Sequence, residues 1–305
     1  MSRSAALALL LAPCLGSCLS IAALVTGGDA GDGGPRDGGE AGLEASALDA
    51  ADAGVAVDAA GADGARGCPG PYAQAVMALP GLVGYWRLDE PGGAVAADRT
   101  GKHPGTYLPG VTLRAPGLLV GDPDLAAAFD GEGGSFVDVP AATDLDLQTF
   151  TLGAIIEPSA IVAADKGQQI VAKSGAFWLQ LDAPTNAADH PHLEVGIITP
   201  GTSGADYPLT QPSASLGVGV VSHVVGTYDG NAVSLYVDGV LIDFAPLSAS
   251  VKVTANDLFI GSWDGTTNFQ AGTIDEVFVS SVALRAEQVS SLYRAARGCA
   301  YDAGD

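Results

Sequence analysis

Between residues 82 and 279 short apolar runs alternate with clusters of Gly, Pro, Asn and Asp. The runs read VGYWRL, AAAFDG, SFVDV, FTLGAIIE, QIVAK, FWLQL, HLEVGII, SHVVGTY, VSLYV, VLIDF, DLFIG and TIDEVFV. Each is short and rich in β-branched or aromatic residues, and turn-formers bound it. The spacing predicts about a dozen strands without intervening helices, an all-β protein folded as an antiparallel sandwich or barrel. In VSLYVDGVLIDF the two runs flank Asp238-Gly239, and Asp-Gly between apolar residues predicts a hairpin whose two turn residues take positive φ. Asp229-Gly230 predicts another tight turn just before it. One stretch, AEQVSSLYRAAR at residues 286–297, reads as helix, with Val289, Leu292 and Tyr293 on one face. Residues 183–190 and 200–219 read as long loops, where binding specificity is usually carried.

The N-terminus has a different pattern. Arg3 precedes AALALLL at residues 5–11, an apolar stretch too short to span a bilayer, as in a signal peptide. Leu15-Gly16-Ser17-Cys18 resembles a bacterial lipobox, which implies lipidation of Cys18 and membrane contact through that lipid anchor. An ordinary cleaved secretory signal is the alternative, and both readings export the chain. The expected organisation is a signal peptide over 1–18 and a tether over 19–67. A folded domain over 68–299 and a short tail over 300–305 follow.

Residues 27–67 are nearly all Gly, Ala and Asp, with nine acidic residues and two arginines. So few large apolar side chains cannot offset the entropy of ordering, which makes this a flexible, self-repelling tether. A calcium-binding glycine-aspartate repeat would need a nine-residue period that is not present. Of the four cysteines, Cys14 and Cys18 lie in the signal region, while Cys68 and Cys299 bracket the folded part. In an exported chain that arrangement points to a disulfide joining the domain ends, with two free thiols as the alternative. No Cys/His set has zinc spacing.

The net charge of −22, with only 13 Lys and Arg, excludes a nucleic-acid partner, since the chain repels phosphate. A hydrophobic share of 48% excludes wholesale disorder.

The order of motifs resembles the laminin-G-like, concanavalin A-like jelly roll of exported bacterial proteins. It begins with LVGYWRLDE at residues 82–90, ADRTG at 97–101 and GTY at 105–107. It continues through FDG at 129–131, FVDVP at 136–140, FTL at 150–152, Glu157-Pro158 and IVAK at 170–173. HVVGTYDG at 223–230 and LYVDG at 235–239 are its densest part. Ile260-Gly261, GTIDEV at 272–277, Ala283-Leu284 and the terminal helix close it. Two tryptophans usual in the family are replaced here, by Ile155-Ile156 and by Val221-Ser222. The resemblance implies a two-sheet jelly-roll β-sandwich. It also implies one structural calcium at the sandwich edge, with Asp98 and Asp275 as candidate ligands; turn capping and backbone hydrogen bonds are the alternative for both.

Hydrolases of this fold carry two carboxylates on one strand face, in an E-x-D-x-x-E run that this chain lacks. Asp144 and Asp146 have i, i+2 spacing but lie before a strand. Asp275 and Glu276 are adjacent, so a regular strand would point them to opposite faces and make Glu276 a structural edge residue. No GxSxG or HExxH occurs. His190-Pro191-His192 is a weak metal pair. The expectation is therefore a non-catalytic, lectin-like module presented from the cell envelope, binding a polysaccharide or another surface ligand. Its candidate contact residues are Trp263, Asn268 and Tyr207, with Trp178 read as core. A protein-interaction or structural surface module and a diverged polysaccharide hydrolase are the alternatives.

Overall fold

The computed structural model describes residues 71–161, 167–182, 192–202, 209–212 and 216–298. Cys18, Cys68, Cys299, Tyr207, His190, the tether and the tail lie outside the described residues. The strands are β1 (Leu82–Trp86), β2 (Val95–Ala96), β3 (Gly105–Tyr107), β4 (Thr112–Pro116), β5 (Leu125–Asp130), β6 (Val137–Val139), β7 (Phe150–Pro158) and β8 (Gln168–Lys173). They continue as β9 (Phe177–Asp182), β10 (His192–Ile197), β11 (Leu209–Pro212), β12 (Ser222–Tyr228), β13 (Ala232–Val237), β14 (Val240–Pro246), β15 (Leu258–Ile260) and β16 (Ala271–Ser280). Two helices, α1 (Pro71–Met77) and α2 (Ala286–Ala296), flank them.

The strands form two antiparallel sheets packed as a sandwich. One runs β14-β13-β12-β7-β16-β5-β4, with β1 also on β16; the other runs β11-β10-β9-β8-β15-β6-β3-β2. Alternate residues enter the core between them, as strand geometry requires. Thus Phe177, Leu179 and Leu181 of β9 meet Leu193, Val195 and Ile197 of β10 in one cluster with Leu152, Val224 and Val277. The predicted hairpin at Asp238-Gly239 is present, with φ of 51° and 75° and Val237 paired with Val240.

The outer face of the first sheet is not open. Tyr85, Ile155, Val225, Tyr236 and Phe278 form a second cluster with Tyr72 and Val76 of α1 and Val289, Leu292 and Ala296 of α2. Helix α1 is a correction to the sequence reading, which found helix only at residues 286–297. Seven residues with proline first are too few for a periodic signal. Strand β11 likewise corrects the reading of residues 200–219 as loop throughout.

Strand β16 organises the first sheet. Along one edge it pairs with β7; along the other it pairs with β5 over Ala271–Ile274 and with β1 over Val277–Ser280. Where the neighbour changes, the register with β7 slips between Asp275 and Phe278. Ile274 and Val277 both enter the main core, so one residue is extra and Asp275 and Glu276 face away from it together. Glu276 takes φ of 56°, a left-handed conformation costing a non-glycine residue about 1 kcal/mol or more. The expectation that these carboxylates point to opposite faces, with Glu276 at an edge, is therefore corrected. A bulge overrides strand alternation, and both residues are fully buried.

Candidate functional site: a carboxylate cluster and an outer-face ladder

Two polar constellations stand out, one on each sheet. The first lies at the β16 bulge. Arg87 directly follows β1 and Asp124 directly precedes β5, so the two strands that meet at the bulge bring both residues to Asp275 and Glu276. Arg87 Nε donates to Glu276 Oε1 at 2.8 Å, Tyr85 Oη donates to Glu276 Oε2, and Arg87 also donates to Asp124 Oδ2. Asp89 lies 3.2 Å from the same guanidinium and Asp122 3.5 Å. The Leu118 N–H donates to Asp275 Oδ2 at 2.9 Å.

Several carboxylates thus surround one guanidinium. Burial, then the charges of Glu276 and Asp124, hold the Asp275 carboxyl well above its usual range. Burial pushes Glu276 up to about 8, although Arg87 and Tyr85 oppose it. Burial also raises Asp124, against the pull of Arg87. One ligand oxygen from each of Asp124, Asp275 and Glu276 lies within 4.8 Å of the others. Asp124 Oδ1 and Asp275 Oδ1 are buried without a hydrogen-bond partner. Two unpaired buried oxygens in a negative site fit a hard cation that prefers carboxylate ligands.

Asp98 is not part of that cluster. Its carboxylate accepts the N–H groups of Tyr85, Thr100, Lys102 and His103 and the Thr100 hydroxyl. Burial would raise its pKa, but these hydrogen bonds outweigh it and hold it below the usual value. Five donors on two oxygens make Asp98 the organiser of the turn at residues 97–103. Asp144 and Asp146 do not meet either: Asp144 Oδ2 lies 3.0 Å from His103 Nε2, and Asp146 Oδ1 3.5 Å from Lys173 Nζ.

The second constellation lies on the outer face of the second sheet. Because Phe177, Leu179 and Leu181 point inward, Trp178 and Gln180 point outward, and on β10 so do Glu194 and Gly196. Register places Trp178 opposite Gly196 and Gln180 opposite Glu194. A Cβ on Gly196 would stand 2.1 Å from the Trp178 ring, so the indole lies directly across that glycine. Trp178 Nε1 and Gln180 Nε2 donate to Glu194 Oε1 at 2.8 and 2.9 Å, and Gln169 Nε2 donates to Gln180 Oε1. The result is a polar ladder across β8, β9 and β10.

Trp263 joins this face. It is half-buried and meets Trp178 edge to face, with ring centroids 5.5 Å apart, beside Ala172 and Ile198. Its loop is rigid. Asp264 Oδ1 accepts the N–H and hydroxyl groups of both Thr266 and Thr267, and Trp263 N–H donates to Thr267 O. Asn268 ends the loop with φ of 55°, and its carbonyl accepts the Gln169 N–H at 3.1 Å. The structure therefore brings Trp263 and Asn268 together with Trp178 and Gln169. Trp178 is buried as read from the sequence, but outside the main core.

Sequence reasoning passed over Arg87, Asp124, Gln169, Gln180 and Glu194. For Gln180 and Glu194 the signal was the alternation in FWLQL and HLEVGII, where the polar residues share a face with Trp178. For Arg87 and Asp124 there was none, since a bulge between distant strands joins them.

The family profile described as the concanavalin A-like lectin/glucanases superfamily matches residues 130–290. Among solved structures, the botulinum neurotoxin type G receptor-binding domain aligns with a TM-score of 0.53 and 9% identity, over 70% of this chain and 51% of that one. The binding domain of Paraclostridial mosquitocidal protein 1 aligns with a TM-score of 0.53 and 13% identity, over 70% and 52%. The chain thus aligns with about half the length of these two structures, and at such identities the likeness concerns the fold. No curated protein matches the sequence.

Proposed function

The chain belongs to the concanavalin A-like lectin/glucanases superfamily, and from that premise we propose a non-catalytic, exported binding module for carbohydrate. The observation that carries this reading is the outer face of β8–β10. There a half-buried Trp263 stands edge-on to Trp178, over a buried ladder of Glu194, Gln180 and Gln169 that is hydrogen-bonded within itself. A sugar offers an apolar ring face and a fringe of hydroxyls. The open part of the Trp263 indole suits the ring face, and the exposed Thr266 and Thr267 of its loop suit the hydroxyls. The non-catalytic part rests on spacing: along β10, Glu194 shares its face with Gly196 and His192, so no second carboxylate stands two residues away.

For calcium, expected at Asp98 and Asp275, this reading prefers Asp275 with Asp124, beside Glu276, because two of their buried oxygens lack a hydrogen-bond partner. The ion would brace the fork between β1 and β5 and is assigned no part in sugar contact. Export rests on the signal over 1–18, and anchoring on lipidation of Cys18, with the acidic tether holding the domain away from a membrane.

A glycan array probed with the domain, followed by titration of hits against Trp263→Ala, tests the proposal. Binding that Trp263→Ala removes is the expected result. Capture of a surface protein that competing glycans leave untouched would favour the protein-interaction reading. Release of reducing ends from a bound polysaccharide would favour a hydrolase.

A further inference from the structure

On the opposite sheet, beneath the last turns of α2, lies a cavity of about 170 Å3. Its apolar wall comprises Leu118, Val120, Ile155 and Ala296, and it is also lined by His223, Asp238 and Arg297. His223 is 2% exposed. Its Nε2 pairs with the Tyr72 hydroxyl at 3.1 Å, while its Nδ1 has no hydrogen-bond partner. Burial holds its pKa down at about 4, so the ring is neutral near pH 7. That nitrogen is itself inaccessible, so the ring offers the cavity a neutral wall.

The mouth carries the opposite charge from the chain as a whole. A second hollow of about 350 Å3 shares Asp238, Tyr293 and Arg297 with the cavity and adds Arg294. Both arginines are exposed, and the Arg297 guanidinium lies 5.9 Å over the Tyr293 ring. Asp238 is already engaged, since its Oδ1 accepts the His223 N–H at 3.0 Å. In a chain of net charge −22, two arginines against one carboxylate form a local positive site.

We propose that this cavity binds a small organic carboxylate with a compact apolar body. The carboxylate faces Arg297 and Arg294, and the body rests on Leu118, Val120, Ile155 and Ala296. The size is suitable, because a cavity of about 150 Å3 accommodates benzene. The site lies on the other sheet from the sugar-facing ladder and does not depend on it.

The test uses 4-hydroxybenzoate, benzoate and the neutral benzamide as probes, with calorimetry and melting of the whole chain. The expected result is saturable binding of the acids, with a rise in melting temperature that follows occupancy. Arg297→Glu, an exposed change whose own melting curve verifies folding, lowers that affinity by about tenfold or more. Absence of saturable binding by either acid overturns the proposal. So does equal binding of benzamide, or undiminished binding by a folded Arg297→Glu protein.

Discussion

Asp275 and Glu276 are consecutive on β16, yet both turn away from the main core and bring carboxylate oxygens within 4.8 Å of each other. The arrangement depends on one extra residue at the point where β16 exchanges β5 for β1. Two buried acids side by side make the fork sensitive to protons and cations, and the first two predictions follow from that.

Stability should fall as pH rises from about 6.5 to 8. Glu276 rises from 4.5 to about 8 on folding, so the native state holds a proton that the unfolded state has released. That contribution is full below about pH 4.5 and is lost as pH rises through about 8. His223 falls from 6.5 to about 4, so its contribution is full above 6.5 and is lost on acidification. The two oppose each other between about 4.5 and 6.5, and above that the carboxylates act alone. Urea midpoints across pH should therefore fall between about 6.5 and 8. Glu276→Gln should flatten that decline; a decline as steep as in the parent protein would refute the assignment.

Calcium should raise the melting temperature most at pH 8, where it replaces the missing protons. Asp275→Ala and Asp124→Ala should each abolish the calcium-dependent rise. Asp98→Ala should behave differently, costing about 2–3 kcal/mol through its orphaned turn amides while the calcium-dependent rise remains. Loss of that rise in Asp98→Ala would return the ion to the turn at residues 97–103.

The two indoles on the outer face should separate by phenotype. Trp263→Ala, at a half-buried loop position, should remove glycan binding with a stability loss of about 1 kcal/mol. Trp178→Ala should cost about 3–5 kcal/mol, because it empties a filled site over Gly196. Calorimetric titration beside denaturant melts reads both quantities.

Cys68 and Cys299 should form a disulfide. Tyr72, near the start of α1, and Tyr293, near the end of α2, approach the same His223 ring with centroids 5.7 and 6.2 Å away. The chain ends adjoining those positions are the ones the bond would join. Alkylation of the unreduced protein followed by mass measurement should find neither thiol free. The double Cys→Ser variant should lose about 2–5 kcal/mol.

The sandwich was legible because each long strand carries its own apolar run, and because Asp238-Gly239 announces its turn locally. Strands β2 and β3 and helix α1 were not, being too short to show a period. At β16 the period itself misled: TIDEVFV reads as regular alternation, while Ile274 and Val277 show that one residue is inserted. Trp263 and Asn268 could be singled out because their loop stands between two clear runs. Their partners Trp178, Gln180 and Glu194 lie within strands whose other residues are core, so only cross-strand register reveals a common face. Asp98 and Asp275 carried the family pattern, but pattern alone cannot distinguish a carboxylate saturated by amide donors from one with an oxygen left over.

The position of β16 also constrains how the molecule can be made. Leu82 pairs with Ser280, and the same late strand separates β7 from β5. A nascent chain that ends before residue 271 therefore lacks an interior strand of its first sheet, and β1 has no partner on β16. Contacts of such long sequence separation predict slow folding that begins only once nearly the whole domain has been synthesised.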